Sequence, residues 1–254
     1  MIGVYDSGLG GLTVLGYLRQ RMPNADLLYL GDTKNLPYGE KPPSLLRRYA
    51  DAAFSFFEKH SVSALVVACG TVSSTVLESE APPIFRFPIF GVVRPAAELA
   101  LSSGFRRIAV LATEATIRSG VYGRLLSRGD AEVLPLACQA LVSLAERGAV
   151  SPEDRQLVQQ VARLLSPLRG FCPDAIVLGC THFPLFSEII RRLFPKATQI
   201  DCGRTAVDAL PPRLCEVGSR STSYYVTGSA SLFSESAGID ARVSVHEIKL
   251  SHTG

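Results

Sequence analysis

The sequence predicts an α/β fold made of two pseudo-symmetric, three-layer domains with mostly parallel sheets. Short apolar runs alternate with segments of helical periodicity, which is typical of a parallel sheet covered by helices on both faces. In each half, one apolar run ends in a cysteine with a threonine close behind it: Cys69 with Thr71, and Cys180 with Thr181. Because open α/β sheets bind ligands beyond the carboxyl ends of their strands, we expect both thiols to face one cleft between the domains.

In the first half, apolar runs predict four strands, at residues 2–5, 27–30, 64–68 and 89–91. The leucines from Leu12 to Leu18 recur at helical spacing after a glycine-rich turn. Ser44 is expected to cap a second helix that continues to about His60. The loop between the second strand and that helix is rich in turn-forming residues.

The second half repeats this order of elements, after a switch that we place near residues 92–95. Its strands are expected at residues 107–112, 133–136, 175–179 and 200–203. Helices are expected near 139–147 and 153–166, and Pro184 suits the first turn of a later helix. The tail, at 224–228, predicts one more strand added to the first half. The first domain is therefore 1–93 plus 206–254, with Asp6 and Cys69, and the second is 94–205, with Glu146, Cys180 and His182.

Composition narrows the class of protein. The chain has 254 residues, of which 47% are hydrophobic and 19% are charged, and this composition argues against disorder. No run is long enough for a membrane span, and the N-terminus lacks a signal-type segment, so we expect a cytoplasmic protein that does not bind membranes. The net charge of +3 comes from scattered basic residues and gives no reason to expect direct nucleic-acid binding.

The six cysteines show no Cys-x-x-Cys pair, which disfavours a structural zinc site. A single cysteine at the end of a buried strand is usually a small packed hydrophobe, but two matched Cys-Thr elements indicate chemistry. The other four are assigned to packing: Cys138, Cys172, Cys202 and Cys215. His182 can hold or receive a proton beside Cys180. Glu146, at the end of a predicted helix, is expected to be exposed to solvent.

A nucleotide site is an alternative interpretation of the glycine-rich turn at residues 8–11. Such a turn between a strand and a helix can bind phosphate, and Asp32 ends the second strand where an acid could bind ribose. However, Thr13 stands where the dinucleotide fingerprint has its third glycine. Asp6 and Ser7, at the end of the first strand, are expected to face the cleft, although Asp6 could instead be a plain cap of the next helix.

Four blocks in this order resemble the glutamate racemases, a cofactor-independent family of the aspartate/glutamate racemase superfamily: residues 3–14, 29–39, 66–69 and 177–185. The resemblance covers nearly the whole chain. It implies two α/β domains with the substrate between them, and interconversion of L- and D-glutamate for peptidoglycan synthesis without cofactor or metal. Removing the Cα proton from one face and returning it on the other suits two thiols. We also expect a homodimer.

The resemblance implies roles for matching residues. Cys69 and Cys180 are the two acid/base residues, Asp6 assists Cys69, His182 assists Cys180, and Glu146 is a further catalytic candidate. Substrate binding is assigned to nine positions: Asp6, Ser7, Pro37, Tyr38, Gly39, Gly70, Thr71, Thr181 and His182.

The main departure from the family pattern is Gly70, where the family has asparagine. We expect Gly70 to enlarge the pocket, and replacing it by asparagine to raise activity on glutamate. Gln139 and Ser143 are lesser departures, at positions where the family prefers proline. The alternative function is therefore a weakly active or inactive homologue that acts on another acidic amino acid, or a binding protein, for example toward DNA gyrase.

Overall fold

The computed structural model describes residues 1–214 and 218–250. These residues form two parallel β-sheets with helices packed against them. The strands in these ranges are β1 (Ile2–Asp6), β2 (Leu27–Gly31), β3 (Ala64–Val67), β4 (Ile89–Gly91), β5 (Arg107–Ala112), β6 (Glu132–Ala137), β7 (Ala175–Leu178), β8 (Thr198–Asp201), β9 (Thr222–Val226) and β10 (Val245–Glu247).

The α-helices in the same ranges are α1 (Gly11–Arg21), α2 (Pro43–Lys59), α3 (Gly70–Val72), α4 (Val93–Ser102), α5 (Glu114–Arg118), α6 (Val121–Leu126), α7 (Gln139–Glu146), α8 (Arg155–Leu164), α9 (Pro167–Phe171), α10 (Ser187–Leu193), α11 (Cys202–Asp208) and α12 (Ala230–Ala237). Short 3-10 segments occur at Thr33–Asn35, Tyr38–Glu40, Phe183–Phe186 and Pro212–Leu214, and a π-helical turn at Ser73–Leu77. None of the described helices is long and apolar enough to cross a membrane.

Four strands of the first sheet, β2-β1-β3-β4, repeat the topology of the second sheet. The first has the order β10-β9-β2-β1-β3-β4 and the second has the order β6-β5-β7-β8, and every described strand pair is parallel. In each half the first strand of the series lies between the second and the third. The predicted pseudo-symmetric α/β architecture is therefore confirmed, and so is the addition of β9 to the first sheet. The sequence did not predict β10, a three-residue strand at the sheet edge.

Apolar cores cover both faces of each sheet, as three-layer packing requires. On β1, Tyr5 faces the core beneath α2, whereas Val4 faces the core beneath α1. On β5, Leu111 and Val110 likewise belong to cores on opposite faces. Alternate residues of a strand point to opposite faces, so a strand buried on both faces must be apolar throughout. This explains why these strands were recognisable as continuous apolar runs.

The start of α2 differs from the prediction. Ser44 lies inside the helix, which begins at Pro43 after Pro42, and no side chain caps its N-terminus. Proline suits the first helical position because its missing N–H would have no helical partner there, so Pro43 makes a serine cap unnecessary. The predicted end near His60 is confirmed. Helix α8 begins after Asp154, whose side chain accepts hydrogen bonds from the backbone N–H groups of Gln156 and Leu157.

Candidate active site

Cys69 and Cys180 occupy equivalent places in the two halves. Each lies two residues beyond the third strand of its series, β3 or β7, and both side chains are nearly buried, with 4% and 6% exposure. The carboxyl ends of the two sheets meet, since Gly70 lies directly against the Gly179 carbonyl oxygen. The structure therefore brings the two thiols to one boundary between the halves.

Cys69 lies in a buried environment, near a carboxylate, that keeps its thiol protonated. Its Sγ atom donates to Ser7 Oγ at 3.7 Å. Burial raises the pKa of Cys69 to about 12, and the nearby Asp6 carboxylate contributes to the increase. At neutral pH this residue is thus a proton donor rather than a base.

Asp6 connects the two halves at the end of β1. It is fully buried, accepts a hydrogen bond from the Gly8 N–H at 3.0 Å, and accepts another from Thr181 Oγ1 of the other half at 3.3 Å. Burial raises its pKa to about 6, while the charge of His182 opposes this increase. Asp6 does bind the turn before α1, but its bond to Thr181 shows that it is more than a local cap.

His182 forms a relay between Cys180 and Glu146. Its Nδ1 atom lies 3.6 Å from Cys180 Sγ, and its Nε2 atom lies 2.6 Å from Glu146 Oε1. The imidazole is 2% exposed, and burial alone lowers its pKa, but hydrogen bonds to Cys180 and Glu146 outweigh burial and raise the pKa to about 10. The Glu146 carboxylate thus holds the imidazole of His182 directly beside the Cys180 thiol.

Glu146 corrects a prediction from the sequence. Its side chain is only 22% exposed, because the end of α7 lies at the boundary between the halves. Besides His182, its Oε1 atom accepts a hydrogen bond from the backbone N–H of Leu9 at 3.1 Å. The carboxylate therefore holds the histidine of one half and the glycine-rich turn of the other, and the expectation of a solvent-exposed side chain was wrong.

The glycine-rich turn is filled by the second half rather than open to a phosphate. A Cβ atom at Gly8 would overlap the Glu146 carboxylate, and one at Gly10 would overlap Thr181. Asp32 is fully buried and accepts hydrogen bonds from the hydroxyl groups of Tyr38 and Thr227. It is thus unavailable to a ribose, and the nucleotide interpretation is wrong.

The loop before α2 presents backbone rather than a hydroxyl to the boundary. Tyr38 is buried, and its hydroxyl pairs with Tyr5 at 2.7 Å and with Asp32. Pro37 precedes this 3-10 turn. Gly39, within it, lies against Gln139 and Thr113 of the other half. Gly39 is therefore in direct contact with the second half.

Four hydroxyl groups join the halves beside Cys69. Thr71 Oγ1 lies 2.9 Å from Thr113 Oγ1, and Ser74 Oγ donates to Thr116 Oγ1 at 3.1 Å. Thr113, Thr116 and Ser74 were not among the site residues predicted from the sequence. Thr113 directly follows β5, the counterpart of β1, so the same rule that singled out Asp6 could have found it.

Gly70 does not enlarge a pocket here. A Cβ atom at this position would overlap the Gly179 carbonyl oxygen and would lie 3.6 Å from Cys180 Cα. The space that a side chain would occupy is taken by the backbone of the other half. The expectation from the sequence is corrected accordingly: glycine permits the two halves to approach closely.

The remaining cysteines follow the packing prediction with one exception. Cys138 and Cys202 are buried in the core of the second half. Cys172 is exposed at the end of α9, with a left-handed backbone (φ 49°), so its assignment to packing was wrong. Cys215 lies outside the described residues.

Comparisons with known proteins agree with this architecture. Residues 15–210 match the family model described as Asp/Glu/Hydantoin racemase. The glutamate racemase of Aquifex aeolicus (strain VF5) is 40% identical over 227 residues, which cover 89% of this chain and 88% of the relative.

Two solved structures are similar along nearly the whole chain. The crystal structure of glutamate racemase isoform RacE1 from Bacillus anthracis has a TM-score of 0.87 and 30% identity, and the match covers 98% of this chain and 97% of that one. The glutamate racemase of Francisella tularensis subsp. tularensis SCHU S4, crystallised in complex with D-glutamate, has a TM-score of 0.85 and 27% identity, with coverage of 98% and 96%.

Proposed function

The chain belongs to the Asp/Glu/hydantoin racemase family and is an amino-acid racemase, and from this premise we propose that it interconverts L- and D-glutamate by a two-base mechanism. The observation that carries the proposal is the pair of thiols at equivalent positions beyond β3 and β7. Each thiol has its own partner for proton transfer, Ser7 and Asp6 for Cys69 and the His182–Glu146 pair for Cys180.

The different surroundings of the two thiols support a direction for the first step. Cys69, with its raised pKa, carries its proton. We assign the base to Cys180, which lies beside His182 and its partner Glu146. The Cys180 thiolate removes the Cα proton, and the electron pair of the broken C–H bond moves toward the carboxylate of the substrate. The Cys69 S–H bond then breaks, and its proton adds to Cα from the opposite face. In the reverse direction the two thiols exchange roles.

Hydroxyl and backbone N–H groups at the strand ends stabilise the negative charge that develops on the substrate carboxylate. We assign this role to Thr71 and Thr181, and substrate binding also to Ser7 and the segment Pro37–Gly39. Both thiols are buried and the halves touch at Gly70 and Gly179, so the site must open for the substrate to enter. Closure afterwards excludes water, which strengthens these electrostatic interactions.

Proton exchange in D₂O tests the proposed function. Purified protein is incubated separately with L- and D-glutamate, while proton NMR follows the α-proton signal and circular dichroism follows optical activity. We expect loss of both signals with either enantiomer. Retention of both would overturn the choice of glutamate, and the same assay with aspartate would then test another acidic substrate.

Several expectations from the sequence stay predictions: a role in peptidoglycan synthesis and cell shape, a place in the cytoplasm, a homodimer and binding to DNA gyrase. We propose the domain boundaries given above, 1–93 plus 206–254 and 94–205. Light scattering of the purified protein tests the homodimer, and a pull-down with purified gyrase tests the other partner.

A further inference from the structure

The side-chain amide of Gln139 is buried without a partner. Both its Oε1 and Nε2 atoms are inaccessible to solvent, and neither has a hydrogen-bond partner in residues 1–214 and 218–250. Leaving a buried amide unpaired is costly, so such groups are nearly always satisfied by protein, water or a ligand. Gln139 is the first residue of α7, the helix that ends with Glu146.

The amide lies among groups assigned to substrate binding. A Cβ atom at Gly39 would overlap Gln139 Oε1 and would lie 2.8 Å from Thr113 Cβ. Thr113 in turn bonds Thr71, which follows Cys69 by two residues. The unpaired amide therefore lies beside the hydroxyl groups and the loop backbone that join the two halves at the proposed site.

Gly70, on the first half's side of the boundary, has no side chain that could bind substrate. The Gly179 carbonyl also leaves no room for a side-chain amide at position 70. We propose that Gln139 is a substrate-binding residue whose Nε2 group donates a hydrogen bond to a carboxylate oxygen of the bound acidic amino acid. This inference rests on the proposed function, which supplies the carboxylate. An N–H donor facing a carboxylate forms a charge-assisted bond, which gives Nε2 a partner only when substrate is present.

The chain offers a matched control in Gln199. Gln199 lies on β8, away from Gly39. Its Oε1 atom is also buried without a partner in the described ranges, whereas its Nε2 atom donates to the Ser187 carbonyl at 2.9 Å. Gln199→Leu therefore removes a buried amide of the same kind outside the proposed site.

The test compares Gln139→Leu, Gln139→Glu and Gln199→Leu with the wild type in glutamate racemisation followed by circular dichroism. A hydrogen bond to a charged group corresponds to roughly ten-fold to hundred-fold in binding. We expect KM to rise by that factor in Gln139→Leu with kcat within about three-fold, and to rise further in Gln139→Glu, whose carboxylate repels the substrate. Gln199→Leu should leave KM unchanged. Thermal melts establish that each variant is folded.

A KM for Gln139→Leu within about two-fold of the wild type would overturn the proposal, because the amide would then be satisfied by water alone. If the wild type does not racemise glutamate, the proposed function fails, and calorimetric titration with D-glutamate still tests Gln139. Weaker binding by Gln139→Leu but not by Gln199→Leu would support the inference. Equal binding by all variants, or no binding by the wild type, would overturn it.

Discussion

Gly70 and Gly179 meet at the boundary between the two halves, with the α-carbon of one against the carbonyl oxygen of the other. Gly70 directly follows the proposed catalytic residue Cys69, and Gly179 directly precedes the other, Cys180. The distance between the two thiols is therefore limited by a contact between backbones. A side chain at position 70 would act as a spacer between them.

Gly70→Asn should lower activity rather than raise it. The new Cβ atom must displace the Gly179 backbone, and overpacking of this kind costs about 1–3 kcal/mol. We expect kcat/KM for glutamate to fall by about ten-fold or more, measured by circular dichroism. Gly16→Ala is the control, because a Cβ at Gly16 in α1 would point into open space. A gain in activity for Gly70→Asn would contradict the importance of this close approach.

Glu146→Gln should move the alkaline limit of activity to lower pH. Because the hydrogen bonds to Cys180 and Glu146 raise the pKa of His182 to about 10, the imidazolium is lost only as pH rises through that value. Glutamine keeps the shape but removes the charge, which lowers the limit by about one to two pH units. The pH profile of kcat measures this change. Glu188→Gln is the control, because Glu188 pairs with Arg191 and Arg192 on α10 instead of with the site. If the wild type and both variants have the same alkaline limit, the role of Glu146 is refuted.

Local sequence patterns were sufficient to predict strands β1–β9 and to single out the two thiols. A strand buried on both faces must be apolar throughout, and its carboxyl end is where a ligand binds, so Cys69 and Cys180 could be located without a structure. Asp6 followed from the same rule. These inferences need only the residues on either side of a strand end.

Contacts between the two halves could not be predicted from local sequence patterns. Glu146 reaches the Leu9 backbone across 137 positions of sequence, and Gln139 reaches Gly39 across the same boundary. Such contacts depend on how two separately folded sheets dock, which hydrophobic periodicity does not encode. The same limit explains Gly70, since a glycine that permits close approach and a glycine that opens a pocket have the same local sequence.

Each of the two cysteines should be essential. Serine is a far weaker acid than cysteine, so Cys69→Ser and Cys180→Ser should each lose roughly 10²- to 10⁴-fold in racemisation rate, the contribution typical of general acid–base catalysis. Cys172→Ser is the control, because Cys172 is exposed at the end of α9. Circular dichroism with both enantiomers measures the rates. Substantial racemisation by Cys180→Ser would refute the two-base assignment.

Asp6 should lower stability as pH rises from about 4 to about 6. Burial raises the pKa of Asp6 from 3.8 to about 6, so in this range the folded protein holds a proton that the unfolded chain has released. The free energy of unfolding of the wild type should therefore decrease, relative to that of Asp6→Asn, by roughly 3 kcal/mol across the range. Urea denaturation of both proteins at several pH values measures the difference.

Asp26→Asn provides a control of opposite sign. Hydrogen bonds from Ser221 and Ser219 lower the pKa of Asp26 in the folded protein, so its contribution to the free energy of unfolding rises with pH up to about pH 5 and is constant above that value. A pH-independent difference between the wild type and Asp6→Asn would mean that burial does not raise the pKa of Asp6. If the free energy of unfolding decreases with pH relative to Asp6→Asn but not relative to Asp26→Asn, the protein keeps a destabilising buried carboxylate near Cys69. Selection for folding alone does not explain such a carboxylate, whereas a role in proton transfer does.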